Sequence, residues 1–141
     1  MKCCYLGIDL GGTNIKAAVF DAEFQKLGES RVPTCVQEGT SAVLHRMEQA
    51  ARTVLADAGV SLDAVECMGI GVPGLLDRKA GLSLFSPNFP GWENVPVKEW
   101  FENCLGIPVF IDNDVRMNLY GEWKFGAGRG KENLVLLTLG T

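Results

Sequence analysis

The feature that most limits how this chain can fold is a pair of short apolar runs joined by a glycine-rich turn. The runs cover residues 3–9 and 15–20, and residues 10–14 connect them. Two runs this short, separated by adjacent glycines, predict a β-hairpin. A third strand is predicted at about 26–34, after a second turn at 21–23. The chain is therefore expected to open with three antiparallel strands.

The rest of the chain alternates helical and strand patterns. Apolar residues recur at three- and four-residue spacing from Thr40 to Ala58, and Gly59 follows as a stop signal, which predicts an amphipathic helix. The later predictions are a buried strand over 67–74, an irregular loop over 75–96, a helix over 97–104, a strand over 108–111 and a helix over 114–125. Because a helix precedes the fourth strand, that strand should run parallel to one of the first three. The expected fold class is α/β, with a mixed five-stranded sheet and helices packed on it.

Composition places the chain among ordinary globular domains and argues against several partners. Its 141 residues suffice for one domain with one core. Thirteen Lys and Arg against 17 Asp and Glu give a net charge of −4, and the longest basic run is Arg78-Lys79, so no nucleic-acid partner is expected. No apolar run has the length of a membrane span or the form of a secretory leader. We therefore expect a cytoplasmic protein with no membrane partner.

The five cysteines are expected to be mostly buried, reduced thiols. Their number is odd and no two of them form a C-x-x-C pair, which argues against a disulfide framework and a zinc ribbon. The single histidine, His45, is expected to be a partly exposed helix residue.

An apolar run at the C-terminal end indicates that the chain belongs to a longer protein. Residues 134–139 read Leu-Val-Leu-Leu-Thr-Leu, and a native domain seldom stops inside such a strand, because its edge would be exposed. We expect residues 1–126 to form an N-terminal lobe. Residues 127–141 are expected to form a hinge and the first strand of a second lobe.

The segment from Asp9 to Lys16 is the first candidate site. Gly11 and Gly12 let the backbone approach a ligand closely and leave N–H groups for an anion such as a phosphate. Asp9, at the end of the first strand, could hold magnesium directly or through water, while Thr13 adds a hydroxyl donor and Lys16 a positive charge. An ordinary hairpin with a Gly-Gly turn is the alternative interpretation.

The second candidate site is Asp112-Asn113-Asp114, where a buried strand gives way to a helix. In open α/β sheets, ligands bind beyond the carboxyl ends of the strands. Two carboxylates and an amide could bind sugar hydroxyls, and one Asp could act as general base on a hydroxyl that attacks phosphorus. Helix N-capping by Asn113 or Asp112 is the alternative, and the two roles can coexist with one residue serving each.

A third candidate site combines the Gly71–Gly74 turn with the segment that follows it. Asn88 offers both a donor and an acceptor to a polyol, and Phe89 and Trp92 offer flat apolar surface to a sugar ring. Ordinary packing of these aromatic residues is the alternative.

In this order and spacing, the motifs resemble the ROK family of sugar kinases and sugar-responsive repressors, named for repressors, open reading frames and kinases. The resemblance spans essentially the whole chain and rests on Asp9-Leu-Gly-Gly-Thr-Asn14, Gly69-Ile-Gly-Val-Pro-Gly74, Asp112-Asn-Asp114 with Gly121-Glu122, and Leu136-Leu-Thr-Leu-Gly-Thr141. It implies an actin-like ATPase (ribonuclease H-like) fold of two α/β lobes, of which this chain is the N-terminal one. ATP would bind between the lobes and the sugar near the hinge.

The resemblance also implies a role for each candidate residue. Asp114 would be the general base that takes the proton from the attacking sugar hydroxyl. The sugar would be bound by Gly74, Asn88, Asn113 and Asp114. The phosphates of ATP would be bound by Gly11, Gly12, Thr13, Lys16, Gly140 and Thr141, with Asp9 directed toward magnesium through water.

Within the family, the kinase branch is favoured, because a repressor would carry a helix-turn-helix ahead of the first strand, which begins by residue 3. Glucose is the first expected sugar, since residues 87–94 look like those of bacterial glucokinases. Allose, fructose, mannose, N-acetylmannosamine or a noncatalytic sugar-binding or regulatory role remain open. The family's zinc site and adenosine contacts lie in its second half, so the isolated chain is expected to be inactive. The longer protein is expected to be a homo-oligomer.

Overall fold

A computed structural model describes residues 2–139, and its centre is a mixed five-stranded sheet. The strands are β1 (Cys4–Leu10), β2 (Asn14–Phe20), β3 (Lys26–Pro33), β4 (Val65–Val72) and β8 (Val109–Asn113), in the spatial order β3-β2-β1-β4-β8. The first three pair antiparallel, and β4 lies parallel to both β1 and β8. The predicted fold class, including the three antiparallel strands and the crossover to a parallel fourth strand, is confirmed.

Three α-helices flank this sheet: α1 (Thr40–Asp57), α2 (Val97–Leu105) and α3 (Asp114–Phe125). Two short 3-10 turns cover Val36–Glu38 and Leu62–Ala64. Helix α1 ends where predicted, with Gly59 in the left-handed region at φ 66°. Alternate residues of the strands, such as Leu6, Ile8 and Ile70, form one apolar core with the buried faces of α1 and α2. Helix α3 lies on the opposite face, where Met117 packs over Gly69.

Residues 75–96 are not the irregular loop that the sequence predicts. They contain a second, three-stranded antiparallel sheet of β5 (Leu75–Asp77), β6 (Leu82–Phe85) and β7 (Glu93–Val95). Strands of three or four residues carry too little alternation to stand out in a segment rich in Gly and Pro. The small sheet follows directly after Gly74 and so borders the end of β4.

The aromatic residues of this segment are core residues, so of the two interpretations of Phe89 and Trp92 the structure supports ordinary packing over a surface for a sugar ring. Phe89 is 4% and Trp92 1% exposed, and their ring centroids lie 5.3 Å apart. The Trp92 indole N–H donates a 2.7 Å hydrogen bond to the buried Ser83 hydroxyl. The strands of the small sheet are too short to bury much apolar surface themselves, so the burial of these two rings supplies much of the apolar contact that stabilises the sheet.

Other expectations on single residues have mixed outcomes. All five cysteines are free thiols, but only Cys4 is buried, so the prediction that most are buried is wrong. Cys3 is exposed, and Cys35 before the first 3-10 turn, Cys67 within β4 and Cys104 near the end of α2 are half-buried. His45 is exposed on α1, as expected.

Residues 133–139 belong to neither a helix nor a strand, although the sequence predicts a strand over 134–139. Val135, Leu137 and Leu139 are exposed, and a strand forms only where another strand supplies its hydrogen-bonding partners. The assignment of residues 127–141 to a hinge and a second lobe stays a prediction. Over residues 2–139, no helix combines the length and the apolar character needed to cross a membrane.

Candidate functional site

The strand register aligns the candidate residues of separate motifs in one row across the sheet. Asp9 of β1 pairs with Lys16 of β2 on one side and with Gly71 of β4 on the other. Gly71 in turn pairs with Asp112 of β8, and Lys16 pairs with Arg31 of β3. The row therefore runs from two cations, through a carboxylate and a glycine, to a second carboxylate. It lies at the carboxyl ends of β1, β4 and β8, where open α/β sheets bind ligands.

Asn113 and Asp114 lie at the junction of β8 and α3, and the junction is built by the Asn113 side chain. Its Oδ1 accepts the backbone N–H groups of Val115 and Arg116 at 3.0 and 3.3 Å, which makes Asn113 the N-cap of α3. Its Nδ2 donates to the Gly74 carbonyl at 3.1 Å. Of the two capping residues that the sequence allows, the structure selects Asn113. Asp114 is then the first residue of α3 and its Oδ1 accepts the Val115 N–H at 2.9 Å.

Gly71 allows the carboxylates of Asp9, on β1, and Asp114, on α3, to lie on the two sides of one position in the sheet. A Cβ at this position would lie 3.3 Å from Asp114 Cα and 3.8 Å from an Asp9 carboxylate oxygen. Asp9 and Asp114 thus flank a glycine whose missing side chain leaves room between them. Burial raises the pKa of Asp9, the Lys16 ammonium opposes that rise, and the negative charge of Asp114 adds to it.

The Gly-Gly turn is held by Thr34, the residue that follows β3. The Gly11 N–H donates to Asn14 O at 3.0 Å, and a Cβ at Gly11 would lie only 2.7 Å from that oxygen, so this position requires glycine. Thr34 donates from its hydroxyl to Gly11 O at 2.6 Å and from its N–H to Thr13 O at 2.9 Å. Gly12 and Thr13 are exposed at the tip of this fixed turn. The turn can therefore present backbone to an anion without first becoming ordered.

Gly74 closes the opposite end of the site. Its φ of 86° lies in the left-handed region, and a Cβ there would lie 2.2 Å from Phe85 O. Only glycine allows the chain to turn here so close to β6. Asn88 is exposed, and its side chain makes no hydrogen bond to Asn113 or Asp114.

An open groove of about 860 Å³ runs along this face of the sheet, beside α3. Three predicted site residues line it, Asp9, Lys16 and Asp114, together with Gly71. Arg31 and Asn118, which the sequence analysis missed, line it as well. Gly11, Gly12 and Thr13 are not among its lining residues. Arg31 could have been found from strand alternation, since it shares a register position with Lys16. Asp112 lies beside the groove, between the guanidinium groups of Arg116 and Arg78. The predicted phosphate ligands Gly140 and Thr141 lie outside the described residues.

The strand order and the polar residues at the ends of the parallel strands define a lobe of the actin-like ATPase fold. The chain belongs to the ROK family, whose sequence profile matches residues 5–141. The Thermotoga maritima glucokinase is 39% identical to it over 142 residues, covering 99% of this chain and 43% of the relative.

Two crystal structures share this fold. The ROK hexokinase of Thermus thermophilus superposes with a TM-score of 0.80 at 37% identity, over 90% of this chain and 40% of that one. A ROK family glucokinase from Streptomyces griseus, in complex with glucose and AMPPNP, also gives a TM-score of 0.80, at 34% identity, over 90% of this chain and 38% of that one. This chain spans less than half the length of each of these three relatives.

Proposed function

We propose that this chain is the N-terminal part of an ATP-dependent hexose kinase whose substrate is glucose and whose general base is Asp114. The observation that carries this proposal is the position of Asp114, at the first turn of α3 and across Gly71 from Asp9. An acceptor hydroxyl at Asp114 would lie in the same groove as Asp9 and Lys16, the residues proposed for magnesium and phosphate. The names of the relatives support the choice of glucose.

In the proposed reaction, a sugar hydroxyl oxygen bonds to the γ-phosphorus of ATP as the bond from that phosphorus to the bridging oxygen of ADP breaks. The hydroxyl proton passes to the Asp114 carboxylate. Because phosphoryl transfer depends mainly on positioning and charge, the task of the protein is to hold the hydroxyl in line. Asn113 and Gly74, already joined by a hydrogen bond, form the sugar side of the site, with Asn88 as a further contact.

The phosphate side of the proposed site consists of Gly11, Gly12, Thr13 and Lys16, with Asp9 toward magnesium. Among residues 2–139, no three acidic, His or Cys side chains converge as a metal cage. One carboxylate, that of Asp9, together with the phosphates of ATP fits magnesium, which is commonly held by one or two carboxylates and by substrate phosphates while keeping several waters. Bound magnesium would neutralise the developing phosphate charge. Gly140 and Thr141 remain proposed phosphate ligands, and a zinc site in the second half of the longer protein remains a proposal.

The test is phosphorylation of a hexose panel by the longer protein and by its Asp114→Asn variant. The panel contains glucose, allose, fructose, mannose and N-acetylmannosamine. Loss of a positioned general base should lower kcat by about a hundred-fold to ten-thousand-fold. Asp57→Asn, on the exposed last residue of α1, removes the same charge away from the groove and should leave the rate unchanged.

The outcomes separate the parts of this proposal. Turnover of glucose that the Asp114 variant loses, while it still folds, supports both the kinase activity and the role of the base. Turnover of a different sugar overturns the choice of glucose alone. An Asp114 variant as active as the Asp57 variant overturns the base, and no turnover of any sugar favours a noncatalytic sugar-binding or regulatory protein. The isolated 141 residues should be inactive in the same assay.

A further inference from the structure

We propose that Asp112 is a positioning residue that fastens the β5–β6 hairpin to the start of α3 and thereby sets the affinity of the site for sugar. The consequence for sugar rests on the proposed function, whereas the fastening itself is a property of this chain. Asp112 belongs to the same three-residue motif as the proposed base, yet its contacts are of a different kind.

Both carboxylate oxygens of Asp112 are already engaged within the protein. Oδ1 accepts the Asn113 backbone N–H at 2.7 Å and the Arg116 Nε–H at 3.0 Å. Oδ2 lies 3.3 Å from Arg116 Nε and 3.6 Å from an Arg78 guanidinium nitrogen. The Asp112 side chain is only 13% exposed. With both oxygens engaged by guanidinium or backbone donors, the Asp112 carboxylate is occupied within the protein, unlike the arrangement proposed for Asp114.

The two arginines come from elements that no strand pairing joins. Arg116 lies in the first turn of α3, whereas Arg78 follows β5 in the turn that leads to β6. The five-stranded sheet and the three-stranded sheet are separate, so side chains must join the hairpin to β8. Arg78 with Asp112 is one such link, and the Asn113 amide on the Gly74 carbonyl is another. The first link lies at the turn of the hairpin and the second at its base.

Two links of this kind hold the hairpin as a wall beside Asn113 and Asp114. With the outer link broken, the hairpin would stay attached through Gly74 and through the Lys98 N–H, which donates to Gly81 O at 3.2 Å, but the side of its turn that carries Arg78 would lose its contact with β8. Binding of a sugar would then have to order the turn of the hairpin, and the entropy lost in doing so lowers the affinity for the sugar. The geometry of Asp114 itself would change little, because Asn113 still caps α3. We therefore expect an effect on KM and not on kcat.

The kinetic test compares Arg78→Gln, Asp112→Asn and the double variant in the longer protein. Partly exposed ion pairs contribute up to about 1 kcal/mol, so KM for the sugar should rise by about five-fold while kcat stays within about two-fold. The double variant should show no further rise, because both changes break the same link. Arg78→Lys should restore part of the affinity. Lys79→Gln, which removes one positive charge from the next residue of the same turn, should leave KM unchanged.

A second measurement needs no activity and uses the 141-residue chain. Arg78→Gln should speed amide hydrogen exchange in residues 75–85 by about five-fold, with no change in α1, and Lys79→Gln should not. Equal exchange in the Arg78 and Lys79 variants overturns the fastening. Faster exchange with an unchanged KM overturns its effect on sugar affinity. Faster exchange in a longer protein that phosphorylates no sugar supports the fastening and counts against the proposed kinase.

Discussion

Replacing Asn113 with Ala should destabilise the 141-residue chain, because this one side chain both caps α3 and holds the Gly74 carbonyl. Loss of the cap costs about 1 kcal/mol. Loss of the hydrogen bond from Nδ2 to the Gly74 carbonyl adds about 1 kcal/mol. For a domain of this size, about 2 kcal/mol corresponds to a fall in Tm of about 8 °C. Urea unfolding followed by tryptophan fluorescence and a thermal melt followed by circular dichroism would measure both quantities.

A second substitution separates the two contributions of Asn113. Serine is a good N-cap but is too short to reach the Gly74 carbonyl, so Asn113→Ser should recover about half of the loss. Asn118→Ala is the matched control, since it removes an exposed amide from the middle of α3, where Ala favours the helix. The reasoning is refuted if Asn113→Ala is as stable as this control. It is also refuted if the Ser and Ala variants of Asn113 unfold at the same urea concentration.

Three further predictions concern the rest of the site and the sheet beside it. Trp92→Phe leaves the buried Ser83 hydroxyl without its partner and should cost about 2 to 4 kcal/mol in urea unfolding. Gly74→Ala should lower Tm sharply, because the new Cβ would lie 2.2 Å from Phe85 O at a φ of 86°; an unchanged melt would contradict this. Since burial raises the pKa of Asp9 in the folded state, its ionised form destabilises the fold above that pKa. Asp9→Asn should therefore raise Tm at pH 7 in chelator-treated buffer, and melts across pH should show this gain shrinking as pH falls from the raised pKa toward the ordinary Asp pKa of 3.8, with none left below 3.8.

The main elements could be predicted because each has a period or a stop signal in the sequence. The helix that begins at Thr40 repeats apolar residues along one face and ends before Gly59, and the structure has both features. The crossover to a parallel β4 follows from the helix that precedes it. The three-stranded sheet could not be predicted in this way, because its strands are too short to show a period. They are ordered by the burial of Phe89 and Trp92 from the segment between β6 and β7.

The candidate site was predictable as a set of residue types and not as a set of contacts. Asp9, Asp112 and Asp114 each follow a strand pattern, which places all three at one edge of the sheet. Nothing in the sequence distinguishes the partners of Asp112 from those of Asp114. Arg78 lies 34 positions before Asp112, and their contact depends on a turn position in a sheet that the sequence did not reveal. Long-range side-chain pairs of this kind appear only once the fold is known.

Gly71 shows why the row of charges across the sheet makes a single site. On one side of it lie Asp9, Lys16 and Arg31, and on the other lie Asp112 and Asp114. An anionic group is attracted toward Lys16 and Arg31 and repelled by the carboxylates, whereas hydroxyls bind well to carboxylates. In the proposed reaction, the phosphate would therefore lie toward Lys16 and Arg31 and the hydroxyl toward Asp114, and magnesium proposed at Asp9 would offset the repulsion between that carboxylate and the phosphate.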